Sequence, residues 1–489
     1  MRRRKRVKGA IALFACALAA GGCGEDEASR PLEVATADAL EAGASFLAGD
    51  LLEGRAPGTR GAELAAAYIV TRFQTAGLDP AADSGYLQPI SLVAVRSEVQ
   101  FSLRARGGAS FIPTPGEELI AWSEDTTQVT EVDSDLVFAG FGIAAGEYGW
   151  DDYKDADVRG KVLLLLAGDP GAAVPGAFRG DTLTYYGFLE YKFEEAARRG
   201  ASGAIIIHTE DLGYDWEVVA SERDREQLWL EPDSGSRALT VEGWLSDDAA
   251  QQVVSMAGLD FGALLESARS DNFRPIPLGL AVSATVRNRV RRIADYNVAG
   301  LLRGGDEELA DEVVIVSAHY DHLGIGSAVD SDSIYNGCYD NASGTALVLA
   351  VADAFTRMRQ RPRRSVLFLA VTAQEPGLLG SRHYVANPLL PLANTVAVVS
   401  VDGVNLLGLT ADVAALGAAE SGLLAAVEAA SAAEDLTPAG DPAPERGSLY
   451  GSDAFSFMRS GVPGTLIQHG RDYLGRMPGW GRQMLQQYY

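Results

Sequence analysis

Three stretches are apolar at nearly every position: "DEVVIVSAHYDH" from Asp311, "RSVLFLAVTAQE" from Arg364 and "NTVAVVSVDGV" from Asn394. Short, β-branched-rich runs with no polar alternation predict central parallel strands covered on both faces. Between the first two lies "SGTALVLAVADAFTRM", long enough for a helix, so the order predicts a strand–helix–strand unit. Nearer the start, residues 36–48 and 61–77 have helical periodicity. Leu64, Tyr68, Ile69, Phe73 and Leu78 fall near one face of the second, and Gly77 can end it. The Gly- and Pro-bearing "EGRAPGTRG" before that helix predicts a loop.

Between about 115 and 285 the texture changes. "SDLVFAGFG" and "GKVLLLLAGDPG" are short β runs bounded by turn residues, and "YKFEEAARRGASGAIIIH" reads as helix, glycine turn and buried strand. This block predicts a small β-rich domain inserted into an α/β body.

The N-terminus follows another rule. "MRRRKRVKGAIALFACALAAGGC" has a basic start and an apolar run too short to span a bilayer, which suits a secretory signal. Its end, "LAAGGC", resembles a bacterial lipobox, although Ala20 stands where leucine is usual. The reading expected is a signal peptide over 1–23, lipidation at Cys23, a polar tether over 24–35, and an exported chain touching the membrane through that lipid alone. The alternative is an ordinary signal cut nearby.

Composition narrows the chemistry. The 489 residues carry 41 Lys+Arg against 66 Asp+Glu, a formal net charge of -25. Such a surface repels phosphate backbones, so no nucleic-acid partner is expected. Cys16 and Cys23 lie in the signal and leave Cys338 alone in the body, which excludes an internal disulfide and a thiolate metal cluster. Any metal must be held by histidine and carboxylates.

Those residues stand where ligands gather. The first apolar run delivers His319, Asp321 and His322, the second Glu375 and the third Asp402; Asp340 in "NGCYDNASG" precedes the helix. Ligands of doubly wound sheets sit beyond the carboxyl ends of the strands. Each residue alone reads as a core histidine, a helix cap or a turn residue. Together, His319, Asp340, Glu375 and Asp402 suit zinc or a related divalent ion, and four such groups favour two ions with Asp340 as the bridge.

These motifs, "VSAHYDHLG", "NGCYDNASG", "TAQEPGLLGSRHY" and "VDGVN", with "GRAPGTRGAELAAAYI" upstream, resemble the M28 family of zinc exopeptidases. The resemblance implies an α/β/α sandwich with a mostly parallel sheet, built from residues 36–114 and 286–489, and a protease-associated domain inserted over 115–285. It implies an aminopeptidase acting on peptides, with two zinc ions. His319, Asp340 and Asp402 would hold one ion, Asp340 would bridge, and Glu375 would help hold the second. Asp321 would orient His319, and His322 would not be a ligand.

Three departures stand against that pattern. Gln374 occupies the place of the family's general base, which implies a crippled enzyme. The family's last metal-binding histidine follows a stretch resembling "GWGRQMLQQYY", and none follows Tyr489. That implies either a truncated sequence or an incomplete second site that binds its ion weakly. His469 in "LIQHG" is the nearest substitute, although it reads as a structural loop histidine, as His383 and His208 read as structural. Cys338 and Tyr339 stand where Ala and Asp are more usual. Cys338 is expected to be a small buried residue, and the acid missing at 339 to cost the site support. A non-catalytic zinc-binding homologue that binds peptides or a partner protein, and a related zinc chemistry such as glutaminyl cyclisation, are the competing readings.

Overall fold

The computed structural model describes residues 37–488, apart from 210–211, 213, 222–225, 232–237 and 406. The expected signal, lipidation site Cys23 and tether lie outside the described residues. Two compact units are present. Among the described residues, one comprises 37–91, 293–443 and 451–488, and the other 92–292 and 444–450.

The first unit begins with α1 (Ala37–Leu47) and α2 (Arg60–Ala76). Thr59 caps α2 through its side chain, and Gly77 closes it with φ 85°. The buried face of α2 is set by Ala62, Ala65, Ala66, Ile69 and Phe73. Alanines, neutral in any periodicity reading, do much of the packing, and Leu64 and Tyr68 lie at the margin. The principal strands of its sheet are β1 (Ile276–Leu302, whose final residues belong here), β2 (Val313–His319), β3 (Ser365–Val371), β4 (Thr395–Val401), β5 (Asp412–Leu416), β6 (Thr437–Ala439) and β7 (Gly464–His469). Their order across the sheet is β6-β5-β7-β4-β2-β3-β1. β3, β2, β4 and β7 run parallel, while β1 and β5 join antiparallel to β3 and β7. Helices α3 (Gly344–Thr356) and α4 (Leu379–Ala386) follow β2 and β3, and α5 (Asp453–Met458) precedes β7.

The strands bury both faces. Val366, Phe368 and Ala370 of β3 pack with α2 and α3, while Leu367, Leu369 and Val371 pack with Tyr384 of α4 and Phe457 of α5. Alternate residues thus serve opposite cores, which is the three-layer α/β/α arrangement the apolar runs predict.

The second unit is wider than the 115–285 block expected and draws in 444–450. Strands Val129–Phe138, Val162–Leu166, Gly203–Ile207 and Val241–Leu245 run parallel. Leu119–Trp122 and the first part of β1 close the edges antiparallel. Leu164 and Leu166 face one core, Leu163 and Leu165 another, and helices Leu189–Arg198 and Asp247–Met256 contribute to them. The unit is β-rich, as expected, but its central strands run parallel and, being apolar on every position, take helical cover.

Candidate metal centre

The carboxyl ends of β2, β3 and β4 carry the candidate residues. β2 ends at His319, whose ring is buried, and Asp321 follows fully buried. His319 Nε2 lies 3.1 Å from Asp340 Oδ1 and 3.5 Å from Asp402 Oδ1, and Nδ1 lies 3.6 Å from Asp321 Oδ1. These are ion-pair approaches. Both ring nitrogens and Asp340 Oδ1 are buried without a hydrogen-bond partner among the described residues.

Two groups of ligand atoms result, each within 4.8 Å: His319, Asp340 and Asp402, and His322, Asp340 and Glu375. Each offers one imidazole and two carboxylates, a hard-to-borderline donor set that fits zinc. The orphaned atoms of His319 and Asp340 are what a cation between them would satisfy. Burial works against a charged His319, but Asp321, Asp340 and Asp402 outweigh it and hold its pKa well above the ordinary value. Asp340 is half-buried, and desolvation opposes its charge, yet His319 keeps its carboxyl below the usual range. Burial raises Glu375, opposed by its hydrogen bond to His322. A divalent ion entering such a group displaces the imidazole proton.

The loop that carries Asp340 is stapled by residues the sequence reading passed over. Asn341, fully buried, donates from Nδ2 to Val401 O (2.8 Å) and accepts on Oδ1 from the N–H groups of Gly344 (2.9 Å) and Gly403 (3.1 Å). Ser343 Oγ accepts from Val404 N–H (3.0 Å), and Thr345 Oγ1 donates to His319 O (2.7 Å). One amide therefore locks the Asp340 loop onto the end of β4, where Asp402 sits. The only sequence signal was an Asn immediately after the acid at a helix start.

Arg55, from the loop before α2, is also fully buried. It donates from Nε to Tyr320 O (2.7 Å), from Nη1 to Leu47 O and to Asn336 O (2.7 Å), and from Nη2 to Gly337 O (3.0 Å). Burial lowers its pKa to about 10, against the opposing pull of Asp321, Asp340 and Glu375.

Asp321 does more than face His319. Its two oxygens accept from the backbone N–H groups of Gln374 (3.1 Å) and Glu375 (3.3 Å), fixing the "TAQE" turn beneath the site. Gln374 donates from Nε2 to Gly451 O (2.9 Å). Asp453, at the start of α5, is a buried acid that sequence reasoning missed. Burial raises its pKa to about 7, and its Oδ1 has no hydrogen-bond partner among the described residues.

Other placements differ from expectation. Cys338 is exposed rather than buried, and Asn341, three residues on, takes the buried position. His322, set aside on the resemblance, has Nδ1 2.5 Å from Glu375 Oε1. His469 ends β7 rather than lying in a loop and joins neither group; its Nδ1 is 2.9 Å from Tyr339 Oη. Burial and Arg471 lower its pKa to about 4. His383 lies on α4. His208 is buried in the second unit, with Nε2 3.0 Å from Tyr214 O.

Nitrogen and oxygen ligand atoms thus gather at the strand ends of an α/β/α sheet. Residues 297–477 match the family model described as peptidase family M28. Aminopeptidase NAALADL1 of Mus musculus is 33% identical over 131 residues, covering 26% of this chain and 16% of that protein. A glutamate carboxypeptidase 2 homolog of Caenorhabditis elegans is 24% identical over 309 residues, covering 51% and 36%. The matched regions thus span well under half the length of these curated relatives. Among solved structures, an aminopeptidase from Aneurinibacillus sp. strain AM-1 aligns over 89% of this chain and 86% of its own, with 18% identity and a TM-score of 0.47. The zinc aminopeptidase BSAP of Bacillus subtilis aligns over 91% and 87%, with 19% identity and a TM-score of 0.41.

Proposed function

We propose that this chain is an exported zinc-dependent exopeptidase that removes N-terminal residues from peptides, slowed by the amide at position 374. The observation that carries the reading is the convergence of His319, Asp340, Asp402, Glu375 and His322 at successive strand ends, with the His319 nitrogens buried and unpartnered. Zinc, when bound, supplies a Lewis acid for the scissile carbonyl and makes water more acidic.

The chain's own groups supply position. His319, Asp340 and Asp402 form one holding group and Glu375 belongs to the other, while Asp321 fixes the turn bearing Gln374 and Glu375. The side-chain carbonyl of Gln374 can orient water but takes no proton at neutral pH, and the missing base function is worth roughly 10²–10⁴-fold. Acidic groups around the site favour a substrate with a free amine, and the net charge of -25 argues against nucleic acid. The basic and apolar start supports export with a lipid on Cys23, and the inserted unit is read as a protease-associated domain.

The testing experiment is hydrolysis of a panel of aminoacyl chromogenic substrates by the full chain. Turnover abolished by a chelator and restored by zinc supports the reading; no turnover with any substrate in the presence of zinc contradicts it. A second reading, a non-catalytic zinc-binding homologue that binds peptides or a partner protein, is favoured by one observation: the Gln374 amide is committed to Gly451 O. On that reading zinc binds and peptides bind, without turnover.

A further inference from the structure

The surroundings of His322 are built in a way that a bystander histidine does not require. It follows His319 by three residues, beyond the end of β2, and its Nδ1 is 2.5 Å from Glu375 Oε1. With Glu375 and Asp340 it completes a ligand group of the same composition as the first. Asp340 belongs to both groups, and its buried Oδ1 has no hydrogen-bond partner among the described residues.

The ring fits where it does because of Gly337. That residue has φ 56°, and a Cβ on it would fall 2.4 Å from His322 Cγ and 2.5 Å from Cδ2. Only glycine both takes this left-handed conformation readily and lets the imidazole close against its Cα. Arg55 holds the flanking chain on both sides. Its guanidinium binds Tyr320 O and Gly337 O, and its own carbonyl accepts from His322 N–H at 3.4 Å.

We propose that His322 is the imidazole ligand of a second divalent-cation site, completed by Glu375 and by Asp340 shared with the first, with Gly337 and Arg55 as positioning residues. The inference rests on reading the first group as a metal site. It supplies, from within residues 37–488, the nitrogen donor that the family resemblance does not assign to His322. Three protein ligands leave a coordination position open, as catalytic zinc sites do. The competing role is a hydrogen bond from His322 that merely orients Glu375.

The experiment counts metal. The full chain is loaded with zinc, or with cobalt(II) as a spectroscopic probe, dialysed against metal-free buffer and measured by elemental analysis and visible absorption. The unaltered chain is expected to retain two equivalents and His322→Gln one, with the cobalt absorption of the lost site missing. Gly337→Ala and Arg55→Lys should weaken the second ion by about 10–100-fold while leaving the first in place. Two equivalents retained with unchanged affinity by His322→Gln, or one equivalent in the unaltered chain, overturns the proposal. Should His322→Gln fail to fold by circular dichroism, proton NMR of the cobalt-loaded unaltered chain decides. Paramagnetically shifted ring resonances from two histidines support the proposal, and from one overturn it. Because the count needs no turnover, an inactive chain with two ions would sink the peptidase reading and leave the His322 assignment standing.

Discussion

Gln374 and Gly451, 77 positions apart in the chain, meet through a 2.9 Å hydrogen bond from the glutamine amide to the glycine carbonyl. The bond uses a donor that glutamate does not have. A carboxylate at 374 would repel that carbonyl and turn toward the cation groups. Gln374→Glu is therefore expected to raise kcat by roughly 10²–10⁴-fold, the usual worth of a positioned base. The same change should cost about 1 kcal/mol of stability for the lost hydrogen bond. Steady-state kinetics and thermal unfolding of the two chains side by side check both parts; an unchanged kcat would contradict the role given to position 374.

Asn341 joins the Asp340 loop to the end of β4 through three buried hydrogen bonds. Asn341→Ala takes this partner from the Val401 carbonyl and the Gly403 N–H, while Gly344 N–H keeps its bond to the carbonyl of residue 341, at a cost of about 2–4 kcal/mol. It should also loosen zinc at the first group by roughly 10–100-fold, since Asp340 and Asp402 lose their common brace. Urea unfolding and chelator competition measure the two effects. A variant that unfolds normally and binds zinc normally would show the staple to be incidental.

The second unit offers a pH test independent of metal. Glu242 is fully buried, accepts from Trp122 Nε1 at 2.9 Å, and its Oε1 has no hydrogen-bond partner among the described residues. Burial, aided by Glu124, raises its pKa well above the ordinary 4.5. A raised acid is protonated in the folded chain while the unfolded chain ionises first. Its contribution to stability is thus present below pH 4.5 and lost as pH rises above it. Glu242→Gln keeps an acceptor for Trp122 and removes the ionisation, so it should flatten this loss and raise stability at neutral pH relative to the unaltered chain. Parallel melting curves from pH 4 to 8 for both chains would contradict it.

Much of this molecule is legible in the sequence for physical reasons. β2, β3 and β4 announce themselves because strands buried on both faces must be apolar throughout, and the strand-end rule then places His319, Glu375 and Asp402. What stays hidden depends on through-space neighbours. The 2.5 Å approach of His322 to Glu375 requires the bare Cα of Gly337, and nothing in "AHYDHLG" shows it. The bond from Gln374 to Gly451 joins segments that only the folded sheet brings together. The exposure of Cys338 is not given by its neighbours' identities. The parallel core of the second unit was masked by the acidic loops between its short strands.

The most direct test of the central claim is mass spectrometry of an unblocked peptide incubated with the full chain, zinc and, in parallel, a chelator. The account predicts a ladder of products shortened one residue at a time from the N-terminus, absent with chelator and absent for the N-acetylated peptide. Internal cleavage, or an intact peptide under every condition, would contradict it.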